Sequence, residues 1–386
     1  MENKFRKLKL MTVIGTRPEI IRLSEVIKKC DMYFDQILVH TGQNYDYSLN
    51  QIFFEDLGLR EPDYYLETVG KHLGETIGNI ISKSYEIMIE QKPDALLILG
   101  DTNSALSAIS AKRLKIPIFH MEAGNRCFDE NLPEETNRRI VDHISDVNLC
   151  YSEHARRYLN GEGTAKERTY VTGSPMAEVL RVNLEKIKSS NILNKLGLEK
   201  NQYILLSAHR EENIDQDKNF DQLMQAINDI AEYYQIPVIY SVHPRSRKKI
   251  KQRGFQFHPL VREMEPFCFT DYNALQVYAR CVVSDSGTLP EESAFFNSIG
   301  YPIAAVCIRT STERPEALEK GNFVMGGIET EGVLQAVQMA VEMTRRGDIA
   351  SFVPDYREEN VSVKVVKIIQ SYVPVVNKMV WRKYEI

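Results

Sequence analysis

The stretch ALLILGDTNSALSAISAKRLKIPIFHMEAG, residues 95–124, predicts the fold class of this chain. An apolar run at 95–99 is followed by a helical pattern over 103–115 and then by a second apolar run that ends at residue 121. Both runs are rich in Ile and Leu and show little alternation, which is typical of strands buried on both faces of a parallel sheet. Strands that alternate with helices in this way indicate an α/β fold.

The same alternation continues along most of the chain in two blocks. Apolar runs occur in the first block at KLMTVIG and QILVHTG, and in the second at YILLSAHR, IPVIYSVHP, CVVSDSG and PIAAVCI. The pattern pauses in the charged stretch over 173–200, which opens on Gly-Ser-Pro. We therefore predict two α/β domains, 1–175 and 176–364, with a C-terminal helix within 365–386 that returns to the first. Ligands of such sheets bind beyond the carboxyl ends of the strands, so the expected site is the cleft between the domains.

Composition excludes several classes of protein. The net charge is −5, whereas a nucleic-acid-binding protein usually carries a basic surplus or stripe. The apolar run near the N-terminus has about six residues, which is too short for a secretory signal. No stretch approaches the roughly 18 apolar residues of a membrane span. The six cysteines occur singly, without a C-x-x-C pair, as reduced thiols usually do. We expect a soluble, cytoplasmic protein with neither nucleic acid nor membrane as partner.

Polar and charged residues gather at the same end of nearly every predicted strand. In the first block the strands end in GTRPE (15–19), GDTNS (100–104) and HMEAG (120–124). In the second block they end in SAHREEN (207–213), SVHPRSR (241–247) and SDSGTLPEE (284–292). Packing alone does not readily explain polar residues at the same end of so many strands. The pattern indicates a binding site along the strand ends.

The segment SDSGTLPEE predicts an anion site. Ser286, Gly287 and Thr288 form a tight strand-to-helix turn, with Pro290 near the first helical position. Backbone N–H groups at a helix N-terminus suit a phosphate, and Glu292, one turn in, is placed to accept hydrogen bonds from sugar hydroxyls. The alternative is an ordinary capping box.

The other motifs are weaker by themselves. Arg17 and Arg22 are candidates to hold a phosphate or a base, but a solvated helix start is the alternative, more so for Arg22. GTRPE lacks the G-x-G-x-x-G pattern, so no tightly bound nicotinamide is expected. His120 and Glu122 match half of a zinc deaminase signature whose cysteine half is absent. Lone histidines such as His209 are more often structural than metal ligands, so no metal is expected.

Taken together, the motifs resemble the non-hydrolysing UDP-N-acetylglucosamine 2-epimerase family. The resemblance spans most of the chain, in order: GTRPEIIRLSEVI, HTGQNYDYSLNQIFFEDLGL, LGDTNS, HMEAGNR, LPEETNRRIVDHISD, SAHREEN, SDSGTLPEE and RTSTERPEAL. It implies two Rossmann-like domains with parallel sheets in a GT-B-like arrangement. It also implies interconversion of UDP-GlcNAc and UDP-ManNAc without metal or cofactor, in a homodimer that feeds surface polysaccharide synthesis.

The resemblance implies a reaction route and a set of site residues. UDP is eliminated from C1 to give 2-acetamidoglucal and is then added back with the opposite configuration at C2. Proton transfer and charge stabilisation need carboxylates, and the departing pyrophosphate needs cations and N–H donors. The matching residues are the acids Asp101, Glu122 and Glu134, with Arg138 and His209 at the sugar and phosphates, Ser286, Gly287 and Thr288 at the phosphates, Glu292 at the ribose, and Arg17 and Arg314 at the nucleotide.

Four motifs depart from the family pattern. Residues 208–212 read Ala-His-Arg-Glu-Glu in place of Gly-His-Arg-Arg-Glu, and residues 286–292 read Ser-Gly-Thr-Leu-Pro-Glu-Glu in place of Ser-Gly-Gly-Ile-Gln-Glu-Glu. Arg22 replaces a lysine, and Gln43-Asn44-Tyr45 replaces the Gln-His-Arg of a second, activating UDP-GlcNAc site. These changes resemble a capsule-type branch that acts on a UDP-2-acetamido-2,6-dideoxy-L-talose sugar and gives UDP-N-acetyl-L-fucosamine. The alternative from another class is a GT-B glycosyltransferase, which should lack the three acids.

Overall fold

The chain folds into two compact units, each built on its own parallel sheet. The computed structural model describes residues 6–42, 51–350 and 352–383, apart from the side chains of Glu211 and Glu212. The first unit comprises Met1–Val179 and Asp355–Ile386, and the second comprises Leu180–Pro354. Helices connect the successive strands in both units. The α/β fold predicted from the alternating pattern is therefore confirmed.

In the described part of the first unit the sheet has seven strands, all parallel. Their spatial order is β3-β2-β1-β4-β5-β6-β7. They are β1 (Lys9–Ile14), β2 (Asp35–His40), β3 (Tyr64–Tyr65), β4 (Ala95–Leu99), β5 (Ile118–Met121), β6 (Val147–Cys150) and β7 (Thr169–Val171). Every residue of β4 and β5 is buried, which is why these segments are apolar without alternation.

The second unit has six parallel strands among its described residues. Their spatial order is β10-β9-β8-β11-β12-β13. They are β8 (Ile204–Ala208), β9 (Val238–Val242), β10 (Val261–Met264), β11 (Cys281–Ser284), β12 (Ala305–Cys307) and β13 (Val324–Met325). Strands β8 and β11 are central and fully buried, so their carboxyl ends meet in the middle of the sheet edge.

The helices follow the strands in chain order. The helices up to the boundary between the units are α1 (Arg17–Tyr33), α2 (Gln51–Leu57), α3 (Leu73–Gln91), α4 (Ala108–Arg113), α5 (Pro133–Ile144), α6 (Glu153–Gly161) and α7 (Met176–Ser189). Those of the second unit are α8 (Ile192–Leu196), α9 (Glu211–Ile214), α10 (Asp217–Tyr234), α11 (Pro244–Arg253), α12 (Phe269–Tyr278), α13 (Leu289–Ser298), α14 (Pro315–Glu319) and α15 (Thr330–Arg346). The last helix, α16 (Val361–Met379), packs against α1 within the first unit.

Two details differ from the pattern read in the sequence. The helix expected over 103–115 begins as a 3₁₀ turn, Asn103–Ser107, and becomes α-helical only in α4. The C-terminal helix starts at Val361, ahead of residue 365, and contains Pro374. The six cysteines are free thiols, four of them buried, as their position in apolar runs predicts.

Candidate active site

The carboxyl end of β4 presents an aspartate that is paired with an arginine of α5. Asp101 follows Gly100, whose backbone is left-handed at φ 70°. Arg138 donates from Nε to Asp101 Oδ2 at 3.0 Å, and its Nη2 contacts the same oxygen. Asn137 Nδ2 donates to the backbone carbonyl of Asp101 at 3.0 Å. Two consecutive residues of α5 thus fix the loop after β4.

The neighbouring strand β5 ends in a second carboxylate. Leu99 pairs in register with Met121, so β4 and β5 end side by side and Glu122 follows directly. Arg22 Nη1 donates to Glu122 Oε2 at 2.7 Å. Glu122 is 8% exposed and Arg22 is 6% exposed, and Asn125 Nδ2 donates to Glu122 Oε1 at 3.2 Å. The solvated helix start that was the alternative for Arg22 is therefore wrong.

Asp101 and Glu122 follow the ends of neighbouring strands. A Cβ atom at Gly100 would lie 3.4 Å from Glu122 Oε2, and Gly100 directly precedes Asp101. Glu134 lies one turn before Arg138, and residues four apart share one face of a helix. The structure therefore places Asp101 beside Glu122, and it places Glu134 on the helix face that carries the arginine partner of Asp101.

Arg138 also contacts a buried glutamate of its own helix. Its Nη1 donates to Glu135 Oε2 at 2.8 Å. The same oxygen accepts from the backbone N–H of Cys127 at 3.3 Å, and the Cys127 thiol lies 3.3 Å away. Glu135 thus ties Arg138 to the loop between β5 and α5. Nothing in the sequence marked Cys127.

The first turn of α1 carries Arg17 and Glu19. The guanidinium carbon of Arg17 lies 5.8 Å from the centre of the Phe53 ring. Glu19 is 1% exposed, and burial raises its pKa to about 7, although hydrogen bonds from Ser104, Thr16, the Gly15 amide and Thr102 oppose the rise. The motif GTRPE drew attention to the arginine, and no pattern in the sequence distinguished the glutamate.

A buried network of polar side chains lies next to the carboxyl end of β5. His120 contacts the Gly100 carbonyl through Nε2 at 2.8 Å and Asp142 Oδ1 through Nδ1 at 3.0 Å. Burial would raise the pKa of Asp142, but His120 and the Arg126 guanidinium hold it below its ordinary value. Arg126 also pairs with Glu162 at 2.6 Å. His120 therefore links the ends of β4 and β5 to α5. The His-x-Glu pattern of residues 120–122, which matches half of a deaminase signature, does not describe this role.

In the second unit, the turn after β11 joins a buried strand to α13. The Ser286 amide donates to Ser284 Oγ at 3.0 Å, and the Thr288 amide donates to Ser286 Oγ at 3.3 Å. Helix α13 begins at Leu289, with Pro290 in its first turn. In the described structure Thr288 makes no side-chain capping bond. The predicted strand-to-helix turn is therefore confirmed, and an ordinary capping box is not what forms it.

The loop after β8 is held against this turn by a buried aspartate. Asp285 Oδ2 accepts from the backbone amides of His209 and Arg210 at 2.8 and 2.9 Å, and from Asn213 Nδ2 at 3.0 Å. His209 Nδ1 lies 3.1 Å from Asp285 Oδ1. Burial would raise the pKa of Asp285, but the charge and hydrogen bond of His209 hold it well below its ordinary value. Asp285 thus orients His209 beside the Ser286–Thr288 turn.

Further charged side chains surround the same turn. Gln276 Nε2 donates to Glu292 Oε2 at 2.8 Å. Buried Arg314 lies 3.8 Å from Glu291, and a Cβ atom at Gly287 would lie 3.7 Å from Arg210 Nη2. A buried pair, Arg309 and Glu313, makes two hydrogen bonds of 2.7 and 3.0 Å. The family motifs pointed to Arg314 and Glu292, and the motif RTSTERPEAL also contains Arg309 and Glu313. Gln276, the partner of Glu292, had no signal in the sequence.

The predicted residues therefore fall into two groups, one in each unit. The first unit holds Arg17, Arg22, Asp101, Glu122, Glu134 and Arg138, and the second holds His209, Ser286, Gly287, Thr288, Glu292 and Arg314. Gln43-Asn44-Tyr45, the departure at the expected activator site, lies outside the described residues, as do the side chains of Glu211 and Glu212.

Two general features complete the description of the site. Across residues 6–42, 51–350 and 352–383, no three His, Cys, Asp or Glu side chains are grouped to hold a metal ion. Within the same ranges, none of the helices combines the length and the apolar character that crossing a bilayer requires.

Comparison with known proteins identifies the family. The family model for UDP-N-acetylglucosamine 2-epimerase matches residues 28–370. A UDP-N-acetylglucosamine 2-epimerase of Methanococcus maripaludis is 33% identical over 87% of this chain and 93% of its own length. The structure of a UDP-N-acetylglucosamine 2-epimerase from Rickettsia bellii is 47% identical, with a TM-score of 0.88 over 98% of this chain and 100% of that one. The Methanocaldococcus jannaschii UDP-GlcNAc 2-epimerase, solved in complex with UDP-GlcNAc and UDP, is 30% identical, with a TM-score of 0.87 over 94% of this chain and 100% of that one. The shared fold, and the matches over most of the chain, show that it belongs to the UDP-N-acetylglucosamine 2-epimerase family.

Proposed function

We propose that this chain is a non-hydrolysing epimerase that interconverts UDP-GlcNAc and UDP-ManNAc. The observation that carries the proposal is the pair of neighbouring acids at one sheet edge, each joined to an arginine: Asp101 to Arg138, and Glu122 to Arg22. The complex of a family member with UDP-GlcNAc and UDP supports the substrate class.

The substrate itself dictates the route. The proton at C2 of an N-acetylglucosamine unit is not adjacent to a carbonyl group, so direct abstraction by a carboxylate would be very slow. In the proposed route UDP leaves C1 with the electrons of the C1–O bond, a carboxylate takes the C2 proton, and the electrons of the C2–H bond form a C1=C2 double bond. The reverse addition delivers a proton to the opposite face of C2 and re-forms the bond between C1 and a UDP oxygen.

Asp101, Glu122 and Glu134 are assigned to proton transfer and to the stabilisation of positive charge near C1. A group that removes a proton from a reacting carbon, or returns one to it, must lie within hydrogen-bond reach of that proton. Asp101 and Glu122 follow neighbouring strand ends, which supports their assignment to one or two adjacent carbons. Arg138 holds Asp101 in place and supplies a cation for the sugar or the phosphates.

The second unit is assigned to the UDP moiety. The Ser286–Thr288 turn at the start of α13 offers hydroxyls and the positive end of a helix, both suited to a pyrophosphate. His209, oriented by Asp285, and Arg314 are proposed as further groups for the departing phosphate. Glu292 is proposed to accept hydrogen bonds from the ribose, and Arg17 of the first unit to contact the nucleotide.

A second candidate substrate keeps the same chemistry. The replacements in residues 208–212 and 286–292 and the arginine at position 22 favour a UDP-2-acetamido-2,6-dideoxy-L-talose sugar, which would be converted to UDP-N-acetyl-L-fucosamine. The buried Arg22–Glu122 pair shows that one of these replacements lies directly at the acids. A GT-B glycosyltransferase, the alternative from another class, would have no use for two arginine-paired acids at this edge.

Incubation in D₂O with UDP-GlcNAc, followed by proton NMR, tests the proposal. The expected result is UDP-ManNAc, with deuterium entering C2 of both sugars and no free ManNAc. Turnover of only the 6-deoxy sugar would establish the second candidate. Transfer of the sugar to an acceptor with retention of the C2 proton would contradict both candidates.

We also propose the finer features that the family resemblance implies. These are a homodimer, a cytoplasmic location and a role in supplying a sugar for surface polysaccharide. Light scattering coupled to size-exclusion chromatography decides the first, since a dimer has twice the 44.4 kDa mass of one chain.

A further inference from the structure

One buried carboxylate joins the loops that follow two adjacent strands. From the loop after β1, Glu19 Oε2 accepts the Gly15 amide at 3.0 Å and the Thr16 hydroxyl at 2.8 Å. From the loop after β4, Glu19 Oε1 accepts the Thr102 hydroxyl at 3.1 Å and the Ser104 hydroxyl at a short distance. The carboxylate therefore uses one oxygen for each loop.

Each of these loops carries a residue of the proposed site. Arg17 lies between Thr16 and Glu19 in the first loop and helix turn, and Asp101 directly precedes Thr102 in the second. Strands β1 and β4 are hydrogen-bonded neighbours in the sheet. The bonds to Glu19 therefore extend the strand pairing beyond the strand ends, where the backbone ladder between β1 and β4 has stopped.

Burial makes the hydrogen bonds of Glu19 hard to replace. Glu19 is 1% exposed and Ser104 is fully buried, so water does not readily replace a lost partner. A buried donor left without an acceptor costs more than an ordinary hydrogen bond contributes. Removal of the Glu19 carboxylate would leave the Gly15 amide without its acceptor and would leave the Thr102 and Ser104 hydroxyls bonded only to each other, so the link between the two loops would be lost.

We infer that Glu19 is a positioning residue for the epimerase reaction. It fixes the position of the loop that carries Asp101 relative to the segment that carries Arg17. It touches neither substrate nor reacting atoms and acts only through these two loops. The expected effect on kcat rests on the proposed function. The connection between the two loops does not, because it is observed directly as hydrogen bonds.

Two substitutions at Glu19 separate geometry from charge. Glutamine has the same length and can accept from the Gly15 and Thr16 groups with its oxygen while donating to the Ser104 oxygen with its amide. Glu19→Gln should therefore keep kcat within about threefold of wild type. Glu19→Ala removes the connection and should lower kcat by about 100-fold, the loss expected when catalytic groups shift by roughly 1 Å.

A partner substitution on the other loop tests the connection itself. Ser104→Ala should lower kcat in the same direction as Glu19→Ala but by less, because the Thr102 hydroxyl still bonds to Glu19. The double variant should lose little more than Glu19→Ala alone, because Glu19→Ala has already removed the whole link. Asp146→Ala is the matched control. Asp146 is also a buried carboxylate with long-range partners, the Ile118 amide and Lys112, but it lies at the amino end of β5 and β6. It should lose stability and keep kcat within about threefold.

The experiment measures kcat by the D₂O assay, and amide hydrogen exchange at Gly15 and over residues 100–104, in all variants. The inference predicts faster exchange in both loops together with the kcat loss for Glu19→Ala, and rescue of both by Glu19→Gln. Three results would each overturn the inference. The first is a wild-type kcat in Glu19→Ala, and the second is a kcat loss in the double variant that equals the product of the two single losses. The third is a kcat loss in Asp146→Ala as large as that in Glu19→Ala. If Glu19→Ala does not fold, Ser104→Ala and Glu19→Gln decide by the same criteria. If the wild type fails to turn over UDP-GlcNAc, the proposed function fails, while the exchange data still show whether Glu19 holds the two loops.

Discussion

At the scale of single residues, the contact between Arg22 and Glu122 shows how a substitution within a family can be read from structure. A guanidinium presents several donors in a rigid plane, whereas an ammonium is a compact charge on a flexible stem. Arg22 donates to Glu122 at 2.7 Å with both side chains buried. The arginine therefore determines where the carboxylate points, and its replacement should change the reaction more than the binding of UDP.

Arg22→Lys and Arg22→Met form a graded pair that tests this point. We expect Arg22→Lys to lower kcat about tenfold, because the charge remains but the donor geometry changes. We expect Arg22→Met to lower kcat by at least about 100-fold, because a buried charge that loses its partner costs roughly 3–5 kcal/mol. UDP affinity, measured by calorimetry, should stay within about threefold in both. A Met variant with wild-type kcat would show that Arg22 has no part in holding Glu122 for the reaction.

Glu19 also leads to a prediction for stability against pH. Burial raises its pKa in the folded chain to about 7, from an ordinary value of 4.5. Between these values the folded state binds more protons than the unfolded state, so the stability contributed by protonated Glu19 is complete below pH 4.5 and is lost as pH rises through 7.

Glu19→Gln imitates the protonated side chain and should lack this dependence. The difference in unfolding free energy between Glu19→Gln and wild type should therefore grow in favour of glutamine by about 3 kcal/mol from pH 4.5 to pH 7.5. Urea unfolding at a series of pH values measures it. A difference that stays constant with pH would mean that Glu19 titrates normally in the fold.

The sequence predicted acids and arginines at strand ends, but it did not predict their pairing. Asp101 and Glu122 were identified because their motifs, GDTNS and HMEAG, stand at predicted strand ends and match the acids of the family. Glu19 and Asp285 stand in the motifs GTRPE and SDSGTLPEE, but neither motif predicted that these two side chains are buried, and Gln276 had no signal in the sequence. Only the three-dimensional contacts show that they are buried and which residues they hold.

At the scale of secondary-structure elements, Gly124 explains how closely α6 approaches the loop after β5. Its backbone is left-handed at φ 82°, and a Cβ atom there would lie 2.5 Å from the Ala155 carbonyl oxygen. The side of a helix therefore packs directly on the backbone of the loop that carries Glu122. The Gly124 amide in turn donates to Asp142.

Gly124→Ala should therefore be strongly destabilising. The strained backbone angle and the clash with main-chain atoms add, so we expect a loss of at least about 3 kcal/mol of stability and of most activity. Gly78→Ala is the control, because Gly78 lies exposed in α3 with no atom near its would-be Cβ; it should be neutral or stabilise by up to about 1 kcal/mol. Thermal unfolding measures both variants. An unchanged melting temperature in Gly124→Ala would contradict the packing described.

The elements themselves were largely predictable, for a physical reason. Strands buried on both faces must be apolar throughout, so runs such as ALLIL stand out in the sequence. The helix expected from residue 103 was only partly right, because its first turn is 3₁₀. Thr102 and Ser104 bond to Glu19 in the first turn of α1, more than 80 residues earlier in the chain, and a contact of that range leaves no mark on local periodicity.

At the scale of the whole molecule, the two units carry different parts of the proposed chemistry. The paired acids lie in the first unit, and the Ser286–Thr288 turn lies in the second. A change at an acid should therefore affect turnover and leave the binding of UDP largely intact.

Glu122→Gln tests this division of labour. We expect turnover to be abolished, because the amide can neither accept nor carry the proton, while UDP affinity stays within about tenfold. Calorimetry with UDP and the D₂O assay measure the two properties separately. A Glu122→Gln chain that folds but has lost UDP binding would show that Glu122 has a structural role instead. Thr288→Val, on the turn itself, is the reciprocal variant and should weaken UDP binding.

The order of motifs along the chain predicted the family, because eight motifs in the right order are far more specific than any one. The substrate within the family was not predictable to the same degree. Arg22 contacts Glu122 in the first unit, and the altered turn residues lie in the second unit, but no sequence pattern indicates which sugar either group would accept. Substrate preference depends on side chains that come together only in the folded chain.

The central claim is that the bond between C1 and UDP breaks before the configuration at C2 changes. UDP-GlcNAc labelled with ¹⁸O in the bridge between C1 and the β-phosphorus tests it most directly, since freed UDP can rotate its terminal phosphate before it adds back. We predict that phosphorus NMR will show the label moving into non-bridging positions at least as fast as UDP-ManNAc forms. Epimerisation with the label retained entirely in the bridge would contradict the claim.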